Sequence, residues 1–222
     1  MIDTYDNGNK AAKVFHEHAE EYDRWFDESL LYKIELEALR SLHSEMPGPR
    51  LEIGVGPGRF ARDLDIGFGL DPALGALHLA KKRGVSCCQG IGEHLPIKEG
   101  ALGTLYLLFT LYFAVRPGQV ISECARTLGK GGLLVIGMTP LESQWGVHLA
   151  AKKEAGHIFY EHARFYTLET VRQWLAEVNM SIIESRSTLY QLPGNVEYME
   201  RPMMSLDEQA GFVVIVARKD NV

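Results

Sequence analysis

Apolar positions recur along this chain in two rhythms. Across residues 11–44, Val14, Phe15, Tyr22, Trp25, Phe26, Leu30, Leu31, Ile34, Leu36 and Leu39 return near helical spacing and predict a helical segment. The stretch "MPGP" at 46–49 ends it, because two prolines and a glycine cannot continue a helix, and it launches a strand at 50–54. Further strands are expected in "IGFGLD" ending at Asp71, in "VSCCQG", and at 102–109, 133–138, 181–189 and 212–218. Between them, helices are expected at 59–64, in "PALGALHLAKKRG" closed by Gly84, at 120–128, and at 167–178 with Thr167 as N-cap. Strands that are apolar throughout and separated by helices need cover on both faces. That predicts a doubly wound α/β domain with a mostly parallel sheet and ligands at the carboxyl ends of its strands.

Length limits this to one domain. The 222 residues divide into an N-terminal helical extension or cap at 1–46 and a ligand-binding domain at 47–222. With 46% hydrophobic and 23% charged residues, neither a disordered nor a fibrous class fits. The net charge of -6 argues against a surface made for nucleic acid or anionic lipid. No run reaches the roughly 20 apolar residues of a membrane span and the first ten residues are polar, so a cytoplasmic location without membrane attachment is expected. Cys87, Cys88 and Cys124 lack Cys-x-x-Cys spacing and read as small core residues.

The chemistry begins in "LEIGVGPGRF", residues 51–60, where Gly54, Gly56 and Gly58 follow a strand. Such a turn brings backbone close to a ligand. A dinucleotide fingerprint counted from Gly54 needs glycine at position 59, where Arg59 stands. Glu52, at the strand's end, would repel a pyrophosphate. It favours an ammonium and a sulfonium, since opposite charges at ~4 Å in a partly dry cleft attract by about 4 kcal/mol before desolvation. Asp71, at the end of the second strand, is placed to take the hydroxyls of a ribose. An aspartate before Pro72 is also a common helix cap.

"LEIGVGPGRF", "GLDPAL", "GEHLPIKEGALGTLYLLFTLYF" and "ARTLGKGGLLVIG" together resemble successive motifs of the class I S-adenosylmethionine-dependent methyltransferases, in the small-molecule branch that includes the ubiquinone/menaquinone methylases. The resemblance spans residues 50–139. It implies a Rossmann-like seven-stranded sheet with a reversed last strand, helices on both faces, and S-adenosyl-L-methionine bound across the first, second and fourth strand ends. It places Glu52, Gly54, Gly56 and Gly58 along the methionine part and Asp71 on the ribose. Pro72 and Ala73 fall beside ribose and adenine, Ile91, Gly92 and Glu93 near the adenine, and Phe109 at the fourth strand's end. Tyr22, in "HAEEYDRWF", matches a tyrosine that closes over the donor, and reads equally as a core aromatic. Ile91 and Gly92 stand where many relatives have Asp-Ala, and Leu102-Gly103 where they have Phe-Asp. Glu93 reads either as a pocket residue or as a partner of a neighbouring helix.

Methyl transfer from a sulfonium needs positioning more than a nucleophilic residue, worth ~7 to 11 kcal/mol. An oxygen or nitrogen acceptor can also need a base, for which Tyr112, His148, His157 and His162 are the candidates. The stretch 140–166, with Trp145, Phe165 and Tyr166, reads as a lid over an apolar or aromatic substrate, or as an amphipathic helix with its histidines in water. His157 and His162 do not have zinc-site spacing, so no metal is expected. The expected activity is methylation of a small molecule at N, O or C by a monomer or homodimer. The alternatives are an RNA methyltransferase, a non-catalytic donor-binding regulator and, at the level of fold, an NAD-dependent oxidoreductase.

Overall fold

Both faces of the central strands are apolar, and both are covered. The computed structural model describes residues 3–220. Its strands are β1 Arg50–Ile53, β2 Phe68–Asp71, β3 Ser86–Gln89, β4 Leu102–Leu108, β5 Leu128–Met138, β6 Met180–Thr188 and β7 Phe212–Lys219. They form one sheet in the order β3-β2-β1-β4-β5-β7-β6. β1 to β5 run parallel, while β7 lies antiparallel between β5 and β6. This is the Rossmann-like sheet with a reversed last strand that the resemblance implies.

Period-two alternation sorts the side chains into two cores. Leu105 and Leu107 of β4 join Val120, Ile121 and Cys124 of α6 (Pro117–Thr127) and Val171 and Leu175 of α8 (Leu168–Glu177). Tyr106 and Leu108 face the other way, among Ile34 and Leu39 of α3 (Leu30–Arg40), Phe60 of α4 (Arg59–Asp63) and Leu77 of α5 (Leu74–Lys82). Thr167 caps α8, its side chain accepting from the Thr170 N–H.

Three expectations are corrected. The N-terminal segment is three helices, α1 Asp3–Glu17, α2 Ala19–Arg24 and α3, because Glu28 turns through a φ of 51° and Ser29 caps a new helix at Tyr32. β5 starts at Leu128, ahead of position 133, and absorbs "GKGG" as a register shift against β4. Only Cys124 is a core cysteine; Cys88 is exposed on the edge strand β3. Gly103 lies under the 46–49 turn, and a Cβ there would sit 2.5 Å from the Pro47 carbonyl oxygen. Among the described residues no helix is long and apolar enough to cross a membrane.

Candidate functional site

The carboxyl ends of β1, β2 and β4 open into one cavity, and the glycine turn forms its floor. Gly54 has a φ of +72°, and a Cβ on it would lie 2.5 Å from the Thr110 hydroxyl oxygen, which itself donates to the Ile53 carbonyl. Only glycine gives both that conformation and that approach. Asp71 ties the turn to β2: Oδ2 accepts from the Gly56 N–H at 2.9 Å and Oδ1 from the Ala73 N–H at 2.8 Å. Burial pushes its carboxyl up to about 6, against the pull of the Ala73 and Gly56 bonds.

Glu52 is 2% exposed and its Oε2 has no hydrogen-bond partner. Burial raises its carboxyl well above the usual range; the neighbouring Asp71 charge adds to this, and a bond from the Ala61 backbone opposes it. An orphaned buried carboxylate oxygen at a cavity wall is a place prepared for a cation. Phe109, with a left-handed φ of 59°, brings the end of β4 to the same cavity, its ring 5.1 Å from that of Phe212.

Of the residues singled out from sequence, Tyr22, Glu52, Gly54, Gly56, Asp71, Pro72, Ile91, Gly92, Glu93 and Phe109 line this cavity. Gly58 and Ala73 stand behind it. A Cβ on Gly58 would meet Ala80 at 2.8 Å, and Ala73 is buried at the start of α5. The Glu93 carboxylate is taken up by the Val115 and Arg116 N–H groups at 2.8 and 3.2 Å, so it fastens the segment leading into α6. Ile91 is 43% exposed at the rim, an apolar side chain with a face left open.

The base candidates are not gathered together. The Tyr112 hydroxyl is buried and bonded to the backbone of Thr139, both donating to its carbonyl and accepting from its N–H. His148 is half-buried on α7 (Gln144–Glu154), outside the cavity lining. His162 is half-buried and makes no hydrogen bond or ring contact with the described residues. His157 packs against Trp25 at 5.7 Å and Tyr160 at 5.1 Å, and its Nδ1 is buried without a partner.

The cover over the cavity combines two segments. Phe15 of α1 and Tyr22 of α2 pack at 5.0 Å, Phe15 meets Phe113 at 5.0 Å, and Phe159, 2% exposed, lies 5.5 Å from Tyr22 and 4.8 Å from Trp25. Trp145, named from sequence with the lid, instead donates to the Gln191 carbonyl at 2.7 Å and packs over Gly211. Sequence reasoning also passed over Asp23 and Arg83, which with Arg59 fasten α2 beside the glycine turn.

The chain matches the family described as "Methyltransferase domain" over residues 51–136. An uncharacterised protein of Mycobacterium bovis is 38% identical over 218 residues, covering 96% of this chain and 76% of that protein. A crystal structure from Thermotoga maritima, named a SAM-dependent methyltransferase, possible histamine N-methyltransferase, is 32% identical. It superposes with a TM-score of 0.87 over 95% of this chain and 100% of that one. The ubiquinone/menaquinone biosynthesis C-methyltransferase of Campylobacter jejuni is 26% identical over 151 residues, 66% of this chain and 58% of that protein.

Proposed function

Because the chain belongs to the S-adenosylmethionine-dependent methyltransferases, we propose that it methylates a small molecule held beneath the aromatic cover. The observation that carries this reading is enclosure. Phe15, Tyr22, Phe113 and Phe159 close together over a cavity whose floor holds two buried carboxylates, a space suited to a compact acceptor rather than to a polymer strand. A net charge of -6 supports the same reading, since an RNA acceptor would be repelled.

The cavity residues fit the donor. Glu52, with its orphaned oxygen, would hold the cationic methionine end, and Asp71 the ribose. Gly54 and Gly56 would let the backbone approach, Ile91 and Gly92 would flank the adenine, and Tyr22 would close the cavity. When bound, S-adenosyl-L-methionine supplies an electrophilic methyl group on a sulfonium. The chain's own contribution is to align the acceptor, exclude water through the aromatic cover, and stabilise positive charge with Glu52. The 1–46 segment, in α1 and α2, acts as a cap, and residues 157–160 act as the part of the 140–166 stretch that meets it.

Incubation with methyl-labelled donor and a metabolite extract is expected to label a small organic product. Label confined to RNA or protein would overturn the acceptor class. Donor binding is also expected to depend on pH. Asp71, pushed to about 6, must be ionised to accept strongly from ribose and attract a cation, so affinity rises as pH climbs through that value. Calorimetry should show Kd tightening roughly tenfold between about pH 5 and about pH 7. A flat profile would contradict the role of the carboxylate.

A further inference from the structure

We propose that Ile91 makes this enzyme read the donor's nucleobase by its flat faces and not by its exocyclic amine, so that nucleosyl ligands whose purine lacks the amine are accepted. The inference rests on the donor placement proposed above, with the cationic end at Glu52 and the ribose at Asp71. Strand order then gives the place of the base. β1 carries Glu52, its neighbour β2 carries Asp71, and β3 lies beyond β2. Asp71 stands opposite Gln89 at the end of β3, and the Gly90 N–H donates to the Asp71 carbonyl at 3.2 Å. A ligand that starts at Glu52 and passes Asp71 therefore ends at residues 90–93.

The chain leaves β3 as Gly-Ile-Gly, and both glycines are pressed onto the core. A Cβ on Gly90 would lie 2.9 Å from the Leu70 side chain, and one on Gly92 would lie 3.0 Å from Val120 and 3.2 Å from Ile53. Neither position has room for a side chain without shifting that packing. Ile91, between them, lines the cavity and is 43% exposed at its rim. Position 91 therefore decides what chemistry the edge of the base meets. What it offers is a branched hydrocarbon.

An amine is read by a hydrogen-bond acceptor, and the acceptors at this end of the cavity are engaged elsewhere. Among the described residues that line it, the polar side chains are Glu93 and Arg116. Glu93, 5% exposed, directs its carboxylate to the start of α6, where Oε1 accepts from the Val115 and Arg116 N–H groups. Arg116 carries a guanidinium, which has donors only. Carbonyls nearby have donors of their own: Ile91 accepts from the His94 N–H at 3.3 Å, Glu93 from Gln119 Nε2 at 2.9 Å and Pro72 from Gln89 Nε2 at 2.9 Å. Leu70, Ala114 and Val120 complete the wall with hydrocarbon. The other end is built differently, since Glu52 keeps an orphaned oxygen at its wall.

An apolar wall gains from the faces of a purine whatever substituent its edge carries, because the gain is surface removed from water. A site built around a bond to the amine behaves otherwise. It rejects a ligand without the amine, since its buried acceptor is then left unpaired. With Ile91 at the edge of the base, losing the amine leaves nothing unpaired there and costs little.

The test is calorimetric binding to the full chain. The ligands are S-adenosylhomocysteine, its analogue with unsubstituted purine in place of adenine, S-ribosylhomocysteine, which has no base, and the dideoxyribose analogue of S-adenosylhomocysteine. The purine analogue is expected to bind within about fivefold of S-adenosylhomocysteine, no more than one typical net hydrogen bond. S-ribosylhomocysteine should bind at least about 30-fold more weakly, because the buried faces are gone. Ile91→Ala should weaken both base-bearing ligands by the same factor. Ile91→Asp, which sets a charged acceptor at the edge of the base, should make the protein prefer S-adenosylhomocysteine over the purine analogue by at least about tenfold. A larger loss with the purine analogue in the wild type would overturn the inference. So would S-ribosylhomocysteine binding as well as S-adenosylhomocysteine, or no gain in preference in folded Ile91→Asp. The dideoxyribose analogue reports on the placement beneath: if it binds as S-adenosylhomocysteine does, the ribose is not at Asp71 and both readings fall. A loss of about tenfold or more with that analogue, beside rejection of the purine analogue, would overturn the inference alone.

Discussion

Asp71→Ala is expected to weaken S-adenosylmethionine binding by about 3 kcal/mol or more, which is roughly 100-fold or beyond in Kd. Two losses combine. The first is the charge-assisted hydrogen bonding proposed for the ribose hydroxyls, about 1.5–3 kcal/mol. The second lies in the protein. Asp71 accepts from the Gly56 and Ala73 N–H groups at 2.9 and 2.8 Å, so alanine leaves two donors unanswered and releases the glycine turn from the end of β2. Asp71→Asn separates the two effects. Its amide keeps one acceptor oxygen but turns a donor toward the other N–H, so the turn is disturbed even though the side-chain size is unchanged. Thermal stability should fall less than affinity, because removing the carboxylate also removes the cost of burying it, the same cost that lifts its pKa. Calorimetric titration with S-adenosylhomocysteine on the folded variant checks this. A Kd within about threefold of the wild type would be well below one charged hydrogen bond and would remove both roles.

The donor half of the site was legible because it is nearly contiguous. Glu52, the glycine turn and Asp71 fall within two strands and one turn, and parallel strands side by side bring their carboxyl ends together wherever the helices lie. The sheet was legible for a similar reason: β4 and β7 are apolar on both faces, and that pattern has few solutions. What escaped depends on long-range packing. Trp145 and Phe159 are both aromatics of one stretch, but α7 ends at Glu154 and the chain turns before Phe159, so only Phe159 reaches the cover. The break at Glu28 and Ser29 was hidden because "DES" is as acceptable within a helix surface as at a cap.

Asp23→Ala is expected to lower the thermal midpoint by about 5 to 15 °C, corresponding to roughly 2–4 kcal/mol, and to loosen donor binding as well. Asp23 is the hub of a partly buried ion cluster. Its Oδ1 accepts from Arg59 Nε at 2.7 Å, and its Oδ2 from Arg59 Nη2 at 3.0 Å and Arg83 Nη2 at 2.8 Å. Side-chain exposure is 14% for Asp23, 13% for Arg59 and 17% for Arg83, so solvent screens these charges weakly. Burial pushes the Asp23 carboxyl up, but the two guanidiniums outweigh it and hold the group below the usual carboxylate range. Arg83 also donates to the Pro57 carbonyl at 2.8 Å, and Arg59 begins α4 directly after the glycine turn. The cluster therefore clamps α2, with Tyr22, onto the backbone proposed to hold the donor. Alanine leaves two cations short of a partner, which is why the loss exceeds that of a surface pair. Asp27→Ala is the control: Asp27 also pairs with Arg59, at 2.7 Å, but its side chain is 59% exposed. Its removal should change stability by less than about 1 kcal/mol. Equal shifts in the two variants, measured by calorimetry, would show that the clamp is not what holds α2. Unequal shifts, with faster donor release in Asp23→Ala alone, would give Arg59 a definite role. Standing where a dinucleotide turn would carry glycine, it faces the carboxylates of Asp23 on α2 and Asp27 just after it, and binds the cover to the floor of the cavity.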